Sequence, residues 1–134
     1  DSRARVITLE GDPETAACAR RNIERMRVKN IEVLTGNFDD TLQNALQKLD
    51  KVDLVFFDGN HRKEPTLRYF NECLKHANDN TIFIFDDIHW SPGMQEAWEE
   101  IGKHERVTST ADLFHIGLVF FRKELTKQHF ILRA

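Results

Sequence analysis

Two short apolar runs that each end in aspartate constrain this chain more than any other feature. The runs are Val52–Phe57 and residues 81–85, and they are followed by Asp58 and by the pair Asp86 and Asp87. Both runs are rich in β-branched and aromatic residues without polar alternation, which is typical of strands covered on both faces. In an open α/β sheet, side chains beyond the carboxyl ends of the strands share one crevice, so we expect the three carboxylates to meet.

Three carboxylates in one crevice repel each other unless a cation or shared protons neutralise them. Hard divalent cations such as Mg²⁺ prefer oxygen ligands of this kind. The alternative is that these aspartates are strand-end turn residues and helix caps, positions where aspartate is common.

The remaining chain predicts a repeated strand–helix pattern. Residues 5–10 and Ile31–Thr35 indicate two more strands, and residues 106–111, 116–122 and 129–133 indicate three at the end. We expect Asp12, Asp39 or Asp40, and Ser91 to cap helices, with Pro13, Pro65 and Pro92 at helix starts. Apolar residues at helical spacing mark the inner faces of the four predicted helices: Ala16, Ala19, Ile23 and Met26; Leu42, Ala45, Leu46 and Leu49; Leu67, Phe70, Leu74 and Ala77; Met94, Ala97, Trp98 and Ile101. Four βα units followed by antiparallel neighbours give an α/β fold with a mainly parallel, doubly wound sheet and an antiparallel C-terminal ending.

The length and composition predict one domain over residues 1–134. With 134 residues and 40% hydrophobic content, the chain can bury one core. A net charge of −3 gives no basic footprint for nucleic acid, and no apolar run has the length of a membrane span. Cys18 and Cys73 lie in apolar helical stretches, so we expect buried, reduced thiols in a cytoplasmic protein.

Glu10 is a candidate ligand-binding residue because it ends a strand that leads into a helix. Rossmann-like folds bind both hydroxyls of a ribose from this position, and two carboxylate oxygens suit a diol. The alternative is that Glu10 only favours the dipole of the following helix.

The order of these segments resembles a known family. VITLEGDPETAACARRNI, VLTGNFDDTL, VDLVFFDGNH and IFIFDDIH together resemble class I methyltransferases that use S-adenosylmethionine, specifically the metal-dependent O-methyltransferases. The resemblance implies that Glu10 holds the adenosyl ribose and that Asn37 and Phe38, after Gly36, lie beside the adenine. Many members have aspartate where this chain has Asn37, but an amide can still accept from the adenine amino group. Asp58 is also expected beside the cofactor.

The resemblance implies a metal site and a candidate base. Asp58, Asp86 and Asp87 match the family's metal ligands, which implies Mg²⁺ and a small hydroxylated acceptor. Catechol-type members have a lysine base three positions after the first of these aspartates, and His61 stands there in this chain. Histidine titrates near neutrality and could take a hydroxyl proton, although His61 also suits a solvated loop. His89 is a weaker candidate.

The family's opening strand and glycine-rich turn have no counterpart in this sequence. The resemblance therefore implies an N-terminally incomplete domain, in which activity and cofactor binding are in question. The absent strand would lie between the strands at residues 5–10 and Val52–Phe57. We expect either that these two strands close up directly or that a second chain fills the gap, and we expect self-association, for example as a dimer.

Two other classes of function are also compatible with strands that end in an acidic residue. An NAD- or nucleotide-binding module would use Glu10 in the same way, but it leaves the three aspartates unexplained. A receiver-type signalling module would bind Mg²⁺ through clustered aspartates, but it would have its acid pair after the first strand and a lysine after the last parallel strand.

Overall fold

The structure, a computed structural model, describes residues 4–133. The chain forms two compact units, Asp1–Asp50 and Lys51–Ala134. Along the chain, four strand–helix pairs are followed by three strands. None of the helices within residues 4–133 is both long enough and apolar enough to cross a membrane. The predicted α/β class with parallel pairing in the βα units is confirmed. The expectation of a single domain over residues 1–134 stays a prediction.

The first unit contains two parallel strands, each followed by a helix. Strand β1 (Val6–Glu10) leads into helix α1 (Pro13–Arg25), and β2 (Ile31–Thr35) leads into α2 (Phe38–Leu49). The two strands pair in register from Val6↔Ile31 to Glu10↔Thr35. Because the strands are parallel and in register, Glu10 and the turn after Thr35 lie at the same edge of this sheet.

Helix α1 begins as predicted but packs less of its surface than expected. The Asp12 side chain accepts from the Thr15 N–H at 2.7 Å, and Pro13 is the first helical residue. Only Ala16 on this helix is fully buried. The expectation of a buried Cys18 is wrong, because two residues past Ala16 is about 200° around the helix and the thiol is exposed. Met26 is the C-cap beyond the last turn and is 64% exposed, so its predicted inward position is also wrong.

The turn between β2 and α2 differs from the prediction in its cap. Asn37, rather than Asp39 or Asp40, is the N-cap, and its side chain accepts from the Asp39 N–H at 3.1 Å. Gly36 precedes it with φ of 142°, a backbone conformation that suits glycine. The two acids instead occupy the first turn of α2, where they favour the positive end of the helix dipole.

The second unit is a five-stranded mixed sheet with two helices. Its elements are β3 (Val52–Phe57), α3 (Lys63–Leu74), β4 (Ala77–Asp86), α4 (Pro92–Lys103), β5 (Ser109–Asp112), β6 (Ile116–Phe120) and β7 (Gln128–Ile131). The strand order is β3-β4-β6-β5-β7. β3 and β4 are parallel, β6 is antiparallel to both β4 and β5, and β7 is parallel to β5. The predicted antiparallel ending is therefore confirmed, and α3 begins two residues before Pro65.

Both helices of this unit pack on one face of the sheet. Phe70 of α3 and Trp98 of α4 contact Phe85 with ring centroids 6.3 Å away in each case, and Phe57 stacks on Phe85 at 4.2 Å. Met94, which precedes Trp98 by one turn, is 3% exposed, so the prediction that the stripe of α4 is core is confirmed.

The other face of β3 is open. Leu54 is 58% exposed and Phe56 is 51% exposed, because α3 and α4 cover only the opposite face. The prediction that this strand is covered on both faces is therefore wrong. Within residues 4–133, β3 hydrogen-bonds to β4 alone, and β1 pairs with β2 alone.

Candidate functional site

The first group of predicted site residues lies at the carboxyl edge of β1 and β2. The Gly36 N–H donates to the Glu10 carbonyl at 3.0 Å, which ties the turn after β2 to the end of β1. The Glu10 carboxylate accepts from the Asp12 N–H through Oε1 at 2.9 Å. Each carboxylate oxygen has two lone-pair directions, so Oε2 and one direction on Oε1 remain for the two hydroxyls of a ribose.

Asn37 and Phe38 adjoin this group at the start of α2. The Asn37 side-chain oxygen already accepts from the Asp39 N–H, and its backbone carbonyl accepts the Thr41 N–H at 3.0 Å. The amide oxygen has two acceptor directions, and one is used by the Asp39 N–H, so a single direction remains for an adenine amino group. Phe38 is the first residue of α2 and is half-buried. The structure thus brings Glu10, Gly36, Asn37 and Phe38 to one edge of the first unit.

The second group lies at the carboxyl edge of β3 and β4. These strands are parallel neighbours with Phe57 paired to Phe85, so Asp58 and Asp86 follow at adjacent positions. Partial burial and the negative charge of Asp86, with a smaller contribution from Asp87, raise the pKa of Asp58. Like charges on neighbouring carboxylates raise pKa values in this way, and a cation would relieve the repulsion. The predicted convergence of Asp58 and Asp86 therefore has an electrostatic signature.

Asp87 adopts a left-handed backbone conformation. Its φ is 53°, and its carbonyl accepts the Trp90 N–H at 2.9 Å, which closes a tight turn. Aspartate tolerates this conformation better than most residues do. Within residues 4–133, no group of three His, Cys, Asp or Glu side chains is arranged to hold a metal ion. The two carboxylates of Asp58 and Asp86 are of the kind that a hard cation prefers. A third side chain that would complete a metal-binding group is not in place within residues 4–133.

His61 lies beside the acid pair. Its Nε2 is 3.7 Å from Asp58 Oδ1, and the side chain is 28% exposed, so it is neither fully solvated nor buried. The imidazole opposes the rise in the pKa of Asp58. This distance is too long for a direct hydrogen bond but is short enough for one bridging water. A substrate hydroxyl held by the two aspartates would therefore be within reach of His61 as a base.

His89, the weaker candidate, has a partner that the sequence did not indicate. His89 Nε2 lies 2.8 Å from Oδ2 of Asp112, a residue 6% exposed at the end of β5. The other oxygen, Oδ1, accepts from the Phe114 N–H at 2.8 Å and from Arg133 Nη1 at 2.9 Å. Burial alone would raise the pKa of Asp112, but these three hydrogen bonds outweigh it and lower the pKa to about 2. The sequence did contain a signal for Asp112, since this acid directly follows the strand predicted at residues 106–111.

Each unit therefore presents polar side chains at the carboxyl ends of parallel strands, the position where open α/β folds bind ligands. One group suits a ribose and a purine, and the other suits a cation and a hydroxyl.

Comparison with known proteins identifies the family. Residues 1–88 match the family described as "Methyltransferase domain", and because that match covers more than half of the chain, the protein belongs to this family. Family membership favours the methyltransferase interpretation over the NAD-binding and receiver-type alternatives. It also confirms the resemblance on which the cofactor prediction was based.

Individual relatives agree with this assignment. The chain is 31% identical over 86 residues to a catechol O-methyltransferase from Niastella koreensis, covering 63% of this chain and 38% of the relative. A catechol O-methyltransferase from Mycobacterium tuberculosis is 32% identical over 87 residues, covering 64% and 38% respectively. The solved O-methyltransferase from Bacillus cereus, in complex with SAH (S-adenosylhomocysteine), superimposes with a TM-score of 0.71 at 27% identity, covering 87% of this chain and 63% of that one. The matched segment thus spans less than two fifths of these curated relatives.

Proposed function

We propose that the protein transfers a methyl group from S-adenosylmethionine to a hydroxyl oxygen of a small acceptor, with the assistance of Mg²⁺. Membership of the methyltransferase family supports the cofactor. Relatives named catechol O-methyltransferase support oxygen as the methylated atom and a small molecule as the acceptor.

The cofactor is assigned to the edge of the first unit. Glu10 accepts the ribose hydroxyls, and the backbone bond between Gly36 and Glu10 holds that carboxylate beside the turn. Asn37 and Phe38 contact the adenine, the first through its remaining amide groups and the second through its ring. When bound, S-adenosylmethionine supplies an electrophilic methyl group on a good leaving group, so the chain mainly has to bind and orient the reactants.

The single observation that carries the acceptor site is the adjacency of Asp58 and Asp86, with the raised pKa of Asp58 that results. We assign Asp58 and Asp86 to Mg²⁺, since Asp87 does not complete a group of three ligands within residues 4–133. Held by these carboxylates, a divalent cation would supply the positive charge that lowers the pKa of an acceptor hydroxyl. Asp58 and Asp86 would be relieved of their mutual repulsion by that charge.

His61 is assigned as the general base for the acceptor hydroxyl. It lies 3.7 Å from Asp58, so a hydroxyl held at the acid pair is within reach of the imidazole or of one intervening water. His61→Gln is expected to lower turnover by about 10²-fold, the lower end of the contribution of a positioned base, without a matching loss of cofactor affinity.

Methyl transfer from labelled S-adenosylmethionine to catechol, with Mg²⁺ or with excess chelator, tests the proposal. We expect turnover that the chelator and Asp86→Asn each abolish. Asp79→Asn is the matched control, because Asp79 pairs with Lys123 at 3.1 Å near the opposite end of β4. Full activity with chelator present would remove the metal from the proposal, whereas absence of transfer to any hydroxylated probe would remove the reaction.

We also propose that the chain self-associates through the open edge of β3. That edge has no strand partner within residues 4–133, and Leu54 and Phe56 beside it are more than half exposed. Unpaired, apolar edges readily accept another strand, so a second copy of the chain is the proposed partner.

A further inference from the structure

The face of the five-stranded sheet that α3 and α4 leave open holds a cavity at the start of β4. Its volume is about 350 Å³, within the range of pockets that bind small molecules. Phe83 packs on Phe70 of α3, so the alternation of the strand turns Ile82 to the opposite face. Ile82 pairs with Phe120 of β6, and both residues line the cavity. The cavity therefore lies on the face away from the helices.

The lining of this cavity is largely apolar. Leu125 of the β6–β7 loop and Phe130 of β7 join Ile82 and Phe120 there. Leu125 is 49% exposed and Phe130 is 48% exposed, so much of this apolar surface is in contact with solvent. A flat apolar molecule that covers it removes both surfaces from water, and an aromatic ring packs favourably against phenylalanine.

Ser109 adds a hydroxyl to the apolar lining. This residue of β5 pairs with Phe120, lines the cavity and is only 7% exposed. Within residues 4–133, no hydrogen bond engages its Oγ. No fully buried side-chain oxygen in that range lacks a partner, so Oγ is accessible from the cavity. A recessed hydroxyl of this kind is within reach of a small molecule but not of the flat surface of a protein partner.

Arg122 supplies a positive charge to the same cavity. It comes two residues after Phe120, the partner of Ser109, so its long side chain and the Ser109 hydroxyl reach the same region. Within residues 4–133, no carboxylate pairs with the Arg122 guanidinium. Asp79, an acid of the lining, is instead paired with Lys123 at 3.1 Å. The cavity therefore offers an uncompensated positive charge beside a free hydroxyl and an apolar floor.

We propose that this cavity binds an aromatic monocarboxylate. The planar guanidinium of Arg122 pairs with the planar carboxylate through two parallel hydrogen bonds, and the Ser109 hydroxyl donates to a carboxylate oxygen. The aromatic body lies against Phe120 and Phe130. A phosphate ester suits the cavity less well, because the free guanidinium does not compensate a charge close to two.

The cavity is separate from the proposed site of methyl transfer. Asp86 follows Ile82 by four residues on β4, which is about 13 Å at the rise of a strand. A bicyclic acid in the cavity therefore does not reach the acid pair. Binding there goes beyond the function proposed above and does not depend on it.

The primary measurement is a titration of the full chain with naphthoate, followed in ¹H–¹⁵N spectra without SAH or Mg²⁺. We expect saturable shifts at Ser109, Phe120 and Phe130, with unchanged resonances at Asp58 and Asp86. Naphthylmethanol, which has the same ring system but no charge, should bind about tenfold or more weakly, since it loses a charge-assisted pair.

Three variants separate the charge from the shape of the cavity. Arg122→Gln is expected to weaken naphthoate binding about tenfold or more and to leave the affinity for naphthylmethanol unchanged, a difference that a merely structural role would not produce. Ser109→Ala should weaken naphthoate binding about fivefold, the value of one hydrogen bond. Lys51→Gln is the matched control, because Lys51 is an exposed cation just before β3 that does not line the cavity.

Four results would overturn the proposal. They are no saturable binding of naphthoate, equal affinity for naphthoate and naphthylmethanol, shifts confined to the edge at Asp58 and Asp86, and equal losses of naphthoate affinity in Arg122→Gln and Lys51→Gln. Shifts at Ser109 and Phe130 that follow protein concentration rather than naphthoate would also overturn it, because a second copy of the chain would then occupy the cavity.

Discussion

His61 Nε2 lies 3.7 Å from Asp58 Oδ1, and that carboxylate is adjacent to Asp86 on the neighbouring strand. Asp58 therefore interacts with one imidazole and with the acids Asp86 and Asp87. Partial burial, followed by the charge of Asp86, outweighs the opposing effect of the imidazole, so the pKa of Asp58 is raised. The ionised form of Asp58 is therefore disfavoured at this edge of the sheet.

Asp58→Asn is expected to stabilise the protein. With the pKa of Asp58 raised in the fold, the folded state binds a proton more readily, so stability is lost as pH rises above the ordinary range of an aspartate. We expect a melting temperature higher by about 1–2 °C at neutral pH, a small gain because the side chain is half-exposed, and no gain at pH below that range. Mg²⁺ should raise the melting temperature of the wild type more than that of the variant.

The exposed Asp53 of β3 provides the control substitution for this experiment. Asp53→Asn should leave both the melting temperature and the Mg²⁺ response unchanged. Destabilisation by Asp58→Asn at neutral pH would contradict the electrostatic interpretation of the acid pair.

Asp112→Asn is expected to act on stability in the opposite sense. The pKa of Asp112 is lowered to about 2, so its ionised form stabilises the fold above the ordinary range of an aspartate. That contribution is lost as pH falls towards about 2. Urea denaturation at neutral pH should show a loss of up to about 2 kcal/mol in the variant, and the loss should shrink as the buffer is acidified. A difference that is independent of pH would show that Asp112 acts through shape alone.

Gly36→Ala tests the turn beside the proposed cofactor site. Gly36 has φ of 142°, and a Cβ there would lie 3.3 Å from Thr41 Cγ2. We expect a loss of about 1 kcal/mol or more in the free energy of unfolding, together with weaker SAH binding. Gly11→Ala is the matched control, since a Cβ at Gly11 meets nothing within 4 Å. Equal stability of the two variants would mean that the turn does not depend on glycine.

Phe56→Lys tests self-association through β3. A charge on the exposed apolar face beside the free edge opposes pairing with a second copy. Light scattering over a range of concentrations should show association of the wild type and a lower mass for the variant. Met26→Lys changes an even more exposed apolar residue of the first unit and should have no effect. A wild type that stays monomeric at high concentration would exclude the proposed dimer.

Local chemistry explains which parts of the fold could be predicted. The caps at Asp12 and Ser91 depend on residues three positions away, and each is present with the expected bond to Thr15 or Met94. The order of strands followed from apolar runs and their terminal acids. Asn37 was missed as a cap because two acids followed it, and either one would have suited the position.

Longer-range features could not be predicted in the same way. Asp112 is separated from His89 by 23 positions and from Arg133 by 21, so no local pattern connects them. The exposed face of β3 was missed because an apolar strand sequence does not report which face a helix covers. The third ligand of the proposed metal site likewise depends on side-chain orientation, which the aspartate spacing alone does not determine.

Calorimetric titration of the full chain with SAH, in parallel with Glu10→Gln and with the exposed Glu14→Gln as control, tests the proposed methyltransferase site most directly. We predict saturable binding by the wild type and by Glu14→Gln, weakened about tenfold or more in Glu10→Gln through loss of a charged acceptor for the ribose. Binding that Glu10→Gln leaves unchanged, or no binding by the wild type, would contradict the assignment of the cofactor to this edge of the sheet.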